Sequence, residues 1–149
     1  MIKLNFPEYN FKVKTIENDN YVFDIIRKKY VLLTPEEWVR QHLLHYLIHE
    51  KKYPASLIAV EKGLEVNGLK KRFDMLVFDK KGKPQLLAEC KAPEIKLTQS
   101  VFDQVANYNM KFNVQFLLVT NGLQHAMCAF EDDFRTYKFV KEIPGYGKK

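Results

Sequence analysis

Apolar and polar positions follow two rhythms along the chain, one of period two and one of helical period, and together they mark most of its elements. Between Met1 and Leu33 short apolar runs interleave with polar ones. Tyr21-Val22-Phe23-Asp24 and Lys29 to Leu33 read as short strands, with Asn18-Asp19-Asn20 as a turn. The rhythm changes at Thr34-Pro35-Glu36-Glu37-Trp38. Thr34 suits an N-cap, Pro35 the first helical position, and Glu37 stands three residues on, where it would complete a capping box. The helix is expected to reach about Lys51. Trp38, Leu43, Leu44 or Tyr46, Leu47 and Ile48 supply a wide apolar side, and Pro54 bounds it.

Strand-like runs follow. Ser56 extends through Val60 toward Val66, Asn67-Gly68 marks a tight turn, and Arg72 to Phe78 returns. Lys80-Lys81-Gly82-Lys83-Pro84 makes a second turn, and Gln85 to Lys91 is a third strand, giving an antiparallel meander. Pro93 breaks the pattern. Thr98 caps a second expected helix running to about Phe112, with Val101, Val105 and Tyr108 on one side. Gln115 to Thr120 is continuously apolar after its first residue, as in a strand covered on both faces. Asn121-Gly122 signals a further hairpin, leading to His125–Phe130, and a short strand over Thr136–Val140 precedes a Gly/Lys tail. The order predicts an α/β protein: a mixed sheet flanked by helices with an α-β-β-β-α-β core and a right-handed crossover into the strand at 115–120.

Composition narrows the classes. A chain of 149 residues with 46% hydrophobic, 28% charged and 13% aromatic residues reads as one ordinary folded unit over residues 1–149. Within it we expect an N-terminal extension of strands over 1–33, a core over 34–140 and a flexible basic tail over 141–149. No Gly-x-x-x-x-Gly-Lys-Ser/Thr loop is present, so no ATP site is expected. No apolar run reaches the ~20 residues a bilayer span needs, and MIKLNFPEYNF lacks the apolar stretch of a secretory signal. Cys90 and Cys128 have no metal-binding spacing and read as reduced thiols of a cytoplasmic protein. The net charge of +6 permits a polyanionic partner through phosphate contacts.

One constellation rises above this background. Asp74 lies on a strand, and Glu89-Cys90-Lys91 lies on the next, across a hairpin turn. Glu89 and Lys91 are two apart and face one side, whereas Cys90 faces the other. An antiparallel neighbour can set Asp74 beside Glu89, so that two carboxylates converge near one ammonium. Metal-assisted phosphodiester hydrolysis asks for such a set. Mg²⁺ takes oxygen ligands, commonly one or two carboxylates with water and substrate phosphate. Asp74 and Glu89 would supply them, joined by the Cys90 backbone carbonyl, while Lys91 would orient water or stabilise developing charge. A surface Glu-x-Lys ion pair is the plainer reading of the same spacing.

Arg72-Phe73-Asp74 followed by Glu89-Cys90-Lys91-Ala92-Pro93 resembles the PD-(D/E)XK nuclease superfamily, and most closely the N-terminal nuclease domain of type I restriction enzyme R subunits. Leu33 to Gln41 is similar to that family's first helix, Gln104-Val105-Ala106-Asn107-Tyr108 to its Gln-x-x-x-Tyr motif, and Val119 to Gly122 to its following strand end. Phe73 departs from the family by standing where proline is often found. The resemblance implies a restriction-endonuclease-like fold and a Mg²⁺-dependent DNA endonuclease, with Mn²⁺ as a substitute ion. By it, Asp74, Glu89 and Lys91 are the catalytic core, and Glu37 a further acidic metal ligand or, alternatively, only a capping residue. Gln104 and Tyr108 would contact substrate, aided by Arg72 and Lys71. DNA, other restriction-system subunits and a second copy of the chain are the implied partners, with no membrane. The chain has no room for the ATP-driven translocase of full R subunits, so a stand-alone nuclease domain is expected.

Other candidates carry less. His45 and His49 have the four-residue spacing of paired metal ligands, but Tyr46 follows His45 where the zinc-protease pattern needs Glu. Lys70-Lys71-Arg72 and Lys80-Lys81-Lys83 could grip a phosphate backbone or be solvated turns. Glu131-Asp132-Asp133 reads as a charged turn. The alternative to an active nuclease is a nuclease-fold module that binds nucleic acid or assembles with a restriction complex without cutting.

Overall fold

Fifteen helical residues, Pro35–His49, begin where Thr34 accepts the Glu37 amide at 3.0 Å. This helix, α1, is buried almost all round, because the large sheet covers one side and the N-terminal residues cover the other. The capping box is only half formed. The Glu37 side chain does not return to Thr34 but pairs with Arg27 and Arg40, which offer a buried carboxylate two full charges in place of one amide. The fold is that of a computed structural model, which describes residues 1–133 and 135–147.

The N-terminal strands form their own antiparallel sheet, β1 (Val13–Ile16), β2 (Asp19–Asp24) and β3 (Lys29–Leu32). The turn falls one residue earlier than expected, at Glu17-Asn18, both with positive φ, and a strand at Val13–Ile16 joins the two anticipated ones. Beyond α1, a 3₁₀ turn at Ala55–Leu57 leads into the meander β4 (Ile58–Val66), β5 (Leu69–Phe78) and β6 (Pro84–Cys90). Helix α2 (Gln99–Asn109), capped by Thr98 and extended by a 3₁₀ turn over Met110–Phe112, carries the chain across to β7 (Phe116–Thr120), which runs parallel to β6. β8 (His125–Phe130) and β9 (Tyr137–Val140) complete a six-stranded mixed sheet in the order β4-β5-β6-β7-β8-β9.

Helices cover both faces of this sheet. Val39, Leu43, Leu44 and Leu47 of α1 pack with Met75, Val77, Ala88 and Leu118 on one face. Phe102 and Ala106 of α2 pack with Leu76, Leu87, Leu117 and Val119 on the other. All five residues of β7 are buried, as its continuous apolar run predicts. The buried stripe of α2 is Phe102, Ala106 and Asn109, one position round from the expected Val101, Val105 and Tyr108. Tyr108 instead stands 44% exposed. The restriction-endonuclease-like α/β architecture is thus the one the sequence order anticipates.

Residues near both ends of the described chain lie against the body. Residues 1–11 form a strap over α1 and the β7–β8 turn. Ile2 accepts the Trp38 indole N–H at 2.8 Å, and the Asn5 amide donates to Gly122 at 2.7 Å. Tyr9 bonds Glu50, and its ring stacks on His49. Gly122 is required here: its φ is +87°, and an added Cβ would lie 2.8 Å from a Leu4 methyl. The expected tail folds back as far as it is described. Ile143 is buried, Tyr53 donates to the Pro144 carbonyl at 2.7 Å, and the Tyr146 amide donates to Lys51. Lys148 and Lys149 lie outside the described residues. Among those residues no helix is long and apolar enough to cross a membrane, and both cysteines are free and buried.

Candidate functional site

The site forms where β5 and β6 part. Their ladder pairs Val77 with Leu86 and Met75 with Ala88, and the next positions in that register are Asp74 and Glu89. The ladder does not continue to them. The Cys90 amide instead donates to Asp74 Oδ2 at 2.7 Å, so a carboxylate takes the place of a backbone acceptor. On the other side of β5, Glu61 of β4 has a φ of +56°, a local distortion opposite Asp74. Splayed strands leave the edge open to both faces of the sheet, and the two carboxylates use both.

Asp74 is held from the α1 face. Arg40 donates from Nη2 to Asp74 Oδ1 at 2.9 Å and to Glu36 Oε1 at 3.5 Å, and from Nη1 to Glu37 Oε1 at 2.6 Å, and Nη2 forms an ion pair with Glu61 Oε1 at 2.8 Å. Glu37 is in turn gripped by Arg27, whose Nη2 lies 2.9 Å from both of its oxygens. Arg27 Nε donates to Asp24 Oδ2 at 2.8 Å, and Gln41 donates to Asp24 at 2.9 Å and to Glu37 at 3.1 Å. The chain Asp24–Arg27–Glu37–Arg40–Asp74 therefore ties the small sheet to the centre of the large one. Its cost in desolvation is offset by near-complete pairing. Burial works against the Arg40 charge, but Glu37 and Asp74 outweigh it and hold the guanidinium pKa above its usual value. Burial likewise pushes Asp24 up, and its bonds from Arg27 and Gln41 more than reverse this. The Arg40 Nε and Gln41 Oε1 atoms are buried without a partner among the described residues.

Glu89 is held from the α2 face. Lys71 Nζ lies 2.7 Å from Glu89 Oε1 and donates to Asn109 Oδ1 at 3.3 Å. The same ammonium sits 4.7 Å from the Tyr108 ring centre and 5.0 Å from that of Phe73. Asn109 is fully buried and fixed by a bond to the Val105 carbonyl. Burial raises the Glu89 carboxyl pKa, Lys71 draws it down, and the Asp74 carboxylate raises it again, with a net upward result. The Cys90 thiol between them is pushed well up by burial, so it stays an inert, protonated packing group on the α1 face.

The remaining sequence candidates are distributed around this core. Lys91 follows the end of β6, half-buried, with its amide bonded to the Thr120 carbonyl at 2.8 Å. Its charge acts on Glu36, where burial and Asp74 raise the carboxyl pKa and Arg40 and Lys91 lower it. Gln104 is exposed, one helical turn before Tyr108, and Tyr108 reaches Glu89 only through Lys71. Arg72 is turned outward onto Glu61, with Nε 2.8 Å from its carbonyl. His42, His45 and His49 pack with Tyr9, Phe11 and Trp38 rather than with acidic groups. Burial lowers the pKa of His42 and His45. Among the described residues, no group of three His, Cys, Asp or Glu side chains is placed to hold a metal ion. Cavities of about 300 and 520 Å³ lie elsewhere, against His125 and Phe139, and among Lys80, Lys83 and Tyr146.

Sequence reasoning assigned no role to Arg40, Glu61 or Asn109. Arg40 carried one available signal: a cation three positions after Glu37, flanked by the apolar Val39 and Leu43, on the side of a helix that must be buried.

A mixed sheet between helices, with paired carboxylates where two strands part, makes this a restriction-endonuclease-like module. Residues 35–144 match the family Type I restriction enzyme R protein N terminus (HSDR_N), and the chain belongs to that family. No curated protein shows a significant match to it.

Proposed function

We propose that the chain is a Mg²⁺-dependent DNA endonuclease of PD-(D/E)XK type. The carrying observation is the convergence of Asp74 and Glu89 at the parting of β5 and β6, in a family of restriction-enzyme N termini. The donor set suits a hard divalent cation: carboxylate oxygens, one of them on a Glu whose pKa is raised by burial and a neighbouring carboxylate. Asp74, Glu89 and the Cys90 carbonyl would hold it. Glu37 is the weakest of the expected ligands, since each of its oxygens already accepts two bonds, from Arg27 and Arg40 on one and from Arg27 and Gln41 on the other, and its role is to position Arg40. Bound there, the ion would polarise the scissile phosphate and lower the pKa of an attacking water.

The chain's own residues do the rest. Arg40 fixes the Asp74 carboxylate in one rotamer. Lys91 stands just beyond the end of β6, near enough for its charge to act on Glu36, and would stabilise negative charge on the phosphate. Lys71, Tyr108 and Gln104 would meet substrate from the α2 face, and Mn²⁺ should replace Mg²⁺. Plasmid nicking tests the reading. Wild type should nick with Mg²⁺ or Mn²⁺, and Asp74→Ala and Lys91→Ala should lose at least ~10²-fold. Equal activity in all three would remove these residues from the chemistry. Binding without cleavage under either ion would favour a non-cutting assembly module of a restriction complex.

A further inference from the structure

The small N-terminal sheet lies outside the family match, which begins at residue 35. Its two faces differ. Val22 and Asp24 point inward and are fully buried. The opposite face is set by the register Lys14↔Tyr21, Tyr21↔Leu32 and Phe23↔Tyr30, with Lys12 beside Phe23 through a 2.8 Å backbone bond. That face is open: Lys12, Lys14, Tyr30 and Leu32 are exposed, and Tyr21 and Phe23 half-exposed. Phe23 and Tyr30 meet edge to face with centres 5.3 Å apart. Each ring carries an ammonium, Lys12 at 5.7 Å from Phe23 and Lys14 at 4.0 Å from Tyr30.

We propose that this face is a platform for single-stranded nucleic acid, with bases stacking on Phe23 and Tyr30 and phosphates drawn to Lys12 and Lys14. Aromatic rings on an open sheet, each with a mobile cation beside it, match a strand's alternation of flat base and charged phosphate. A phosphate lifts each ammonium off its ring and frees the ring face for the base. Duplex DNA offers the phosphates but hides the base faces, so the rings favour a single strand. A second copy of the chain would bring its own lysines against these lysines, a like-charge contact. The platform stands in fixed register to the candidate site, because the β2–β3 turn supplies Arg27 to Glu37 and thence to Arg40 and Asp74. Only the destination of the strand rests on the nuclease reading; its capture does not.

The test is fluorescence anisotropy on the full chain without divalent ions, using labelled oligothymidylate and a duplex of equal length. Phe23→Leu/Tyr30→Leu keeps an apolar face but removes the rings. It should weaken oligothymidylate binding about tenfold or more and duplex binding much less. Lys12→Gln/Lys14→Gln, on exposed side chains that folding does not need, should weaken both and lower the salt slope by about 1–2. Unchanged oligothymidylate binding in either double variant overturns the proposal. So does an equal loss on both probes with the leucine pair, or a wild-type dimer that the leucine pair dissociates. Wild-type binding that follows these expectations, alongside no cleavage with Mg²⁺ or Mn²⁺, retires the nuclease reading and leaves the platform standing.

Discussion

Asp74 and Glu89 stand opposite each other in one register, just past the last paired residues, yet they are held from opposite faces of the sheet by unlike cations. The Arg40 side chain is 7% exposed, pairs with four carboxylates and is itself backed by Arg27 through Glu37. Lys71 is 23% exposed, has one carboxylate partner, and otherwise rests on aromatic rings and a 3.3 Å amide contact. A planar guanidinium with several fixed acceptors sets one geometry, whereas an ammonium on a flexible stem can swing away. The α1 half of the site is therefore built before substrate arrives, and the α2 half is left adjustable. The adjustable half also holds Glu89, whose pKa burial raises and on which an added positive charge would act favourably.

Breaking the rigid half should have the largest effect. Arg40→Met leaves Glu37, Glu61 and Asp74 facing one another in a buried space, and urea denaturation should show a loss of about 3–5 kcal/mol. Arg40→Lys should recover only part, since an ammonium cannot span the same acceptors. The adjustable half should tolerate the equivalent change. Lys71→Gln should cost about 1 kcal/mol or less, because its ammonium is partly solvated and has a single charged partner. A loss as large as that of Arg40→Met would erase the distinction between the halves.

Glu89→Gln should have the smallest effect, and one of opposite sign. A carboxyl with a raised folded-state pKa adds stability only while protonated. That contribution is complete below the unfolded value of about 4.3 and is lost as pH rises through the folded value. At neutral pH the ionised Glu89 is thus a cost, and Glu89→Gln should raise Tm. The gain should shrink as pH falls toward 4.3. A variant less stable than wild type at pH 7 would show that the Lys71 pair outweighs burial.

The parts of this molecule legible in the sequence are those governed by local rules. Thr34 and Thr98 cap helices because a side-chain oxygen there meets an amide three residues on. Asp74 and Glu89 converge because a hairpin fixes register by counting. What escaped is set by distant contacts. Glu37 gave up its capping bond because Arg27 arrives from another sheet, and Arg40 acquired its role from strands 34 positions away. β1 carries no such mark, because all four of its residues are exposed and no burial alternation distinguishes it. On α2, Val105 and Tyr108 look like core by hydropathy, but Asn109 is the buried one, since its amide can bridge Val105 and Lys71.

The N-terminal strap gives the fold a temporal order. Its Asn5 carbonyl lies 3.0 Å from His125 Nε2, across 120 positions of chain. A contact that closes so long a loop returns its free energy only after the sheet that presents the β7–β8 turn exists. The strap is the expected last piece to dock in folding and the first to lift. During that interval the histidine side of α1, with Trp38 among it, stands uncovered. Hydrogen exchange should accordingly find the Asn5 amide opening well before those of β7, and a tag that burdens Met1 should act on this step alone.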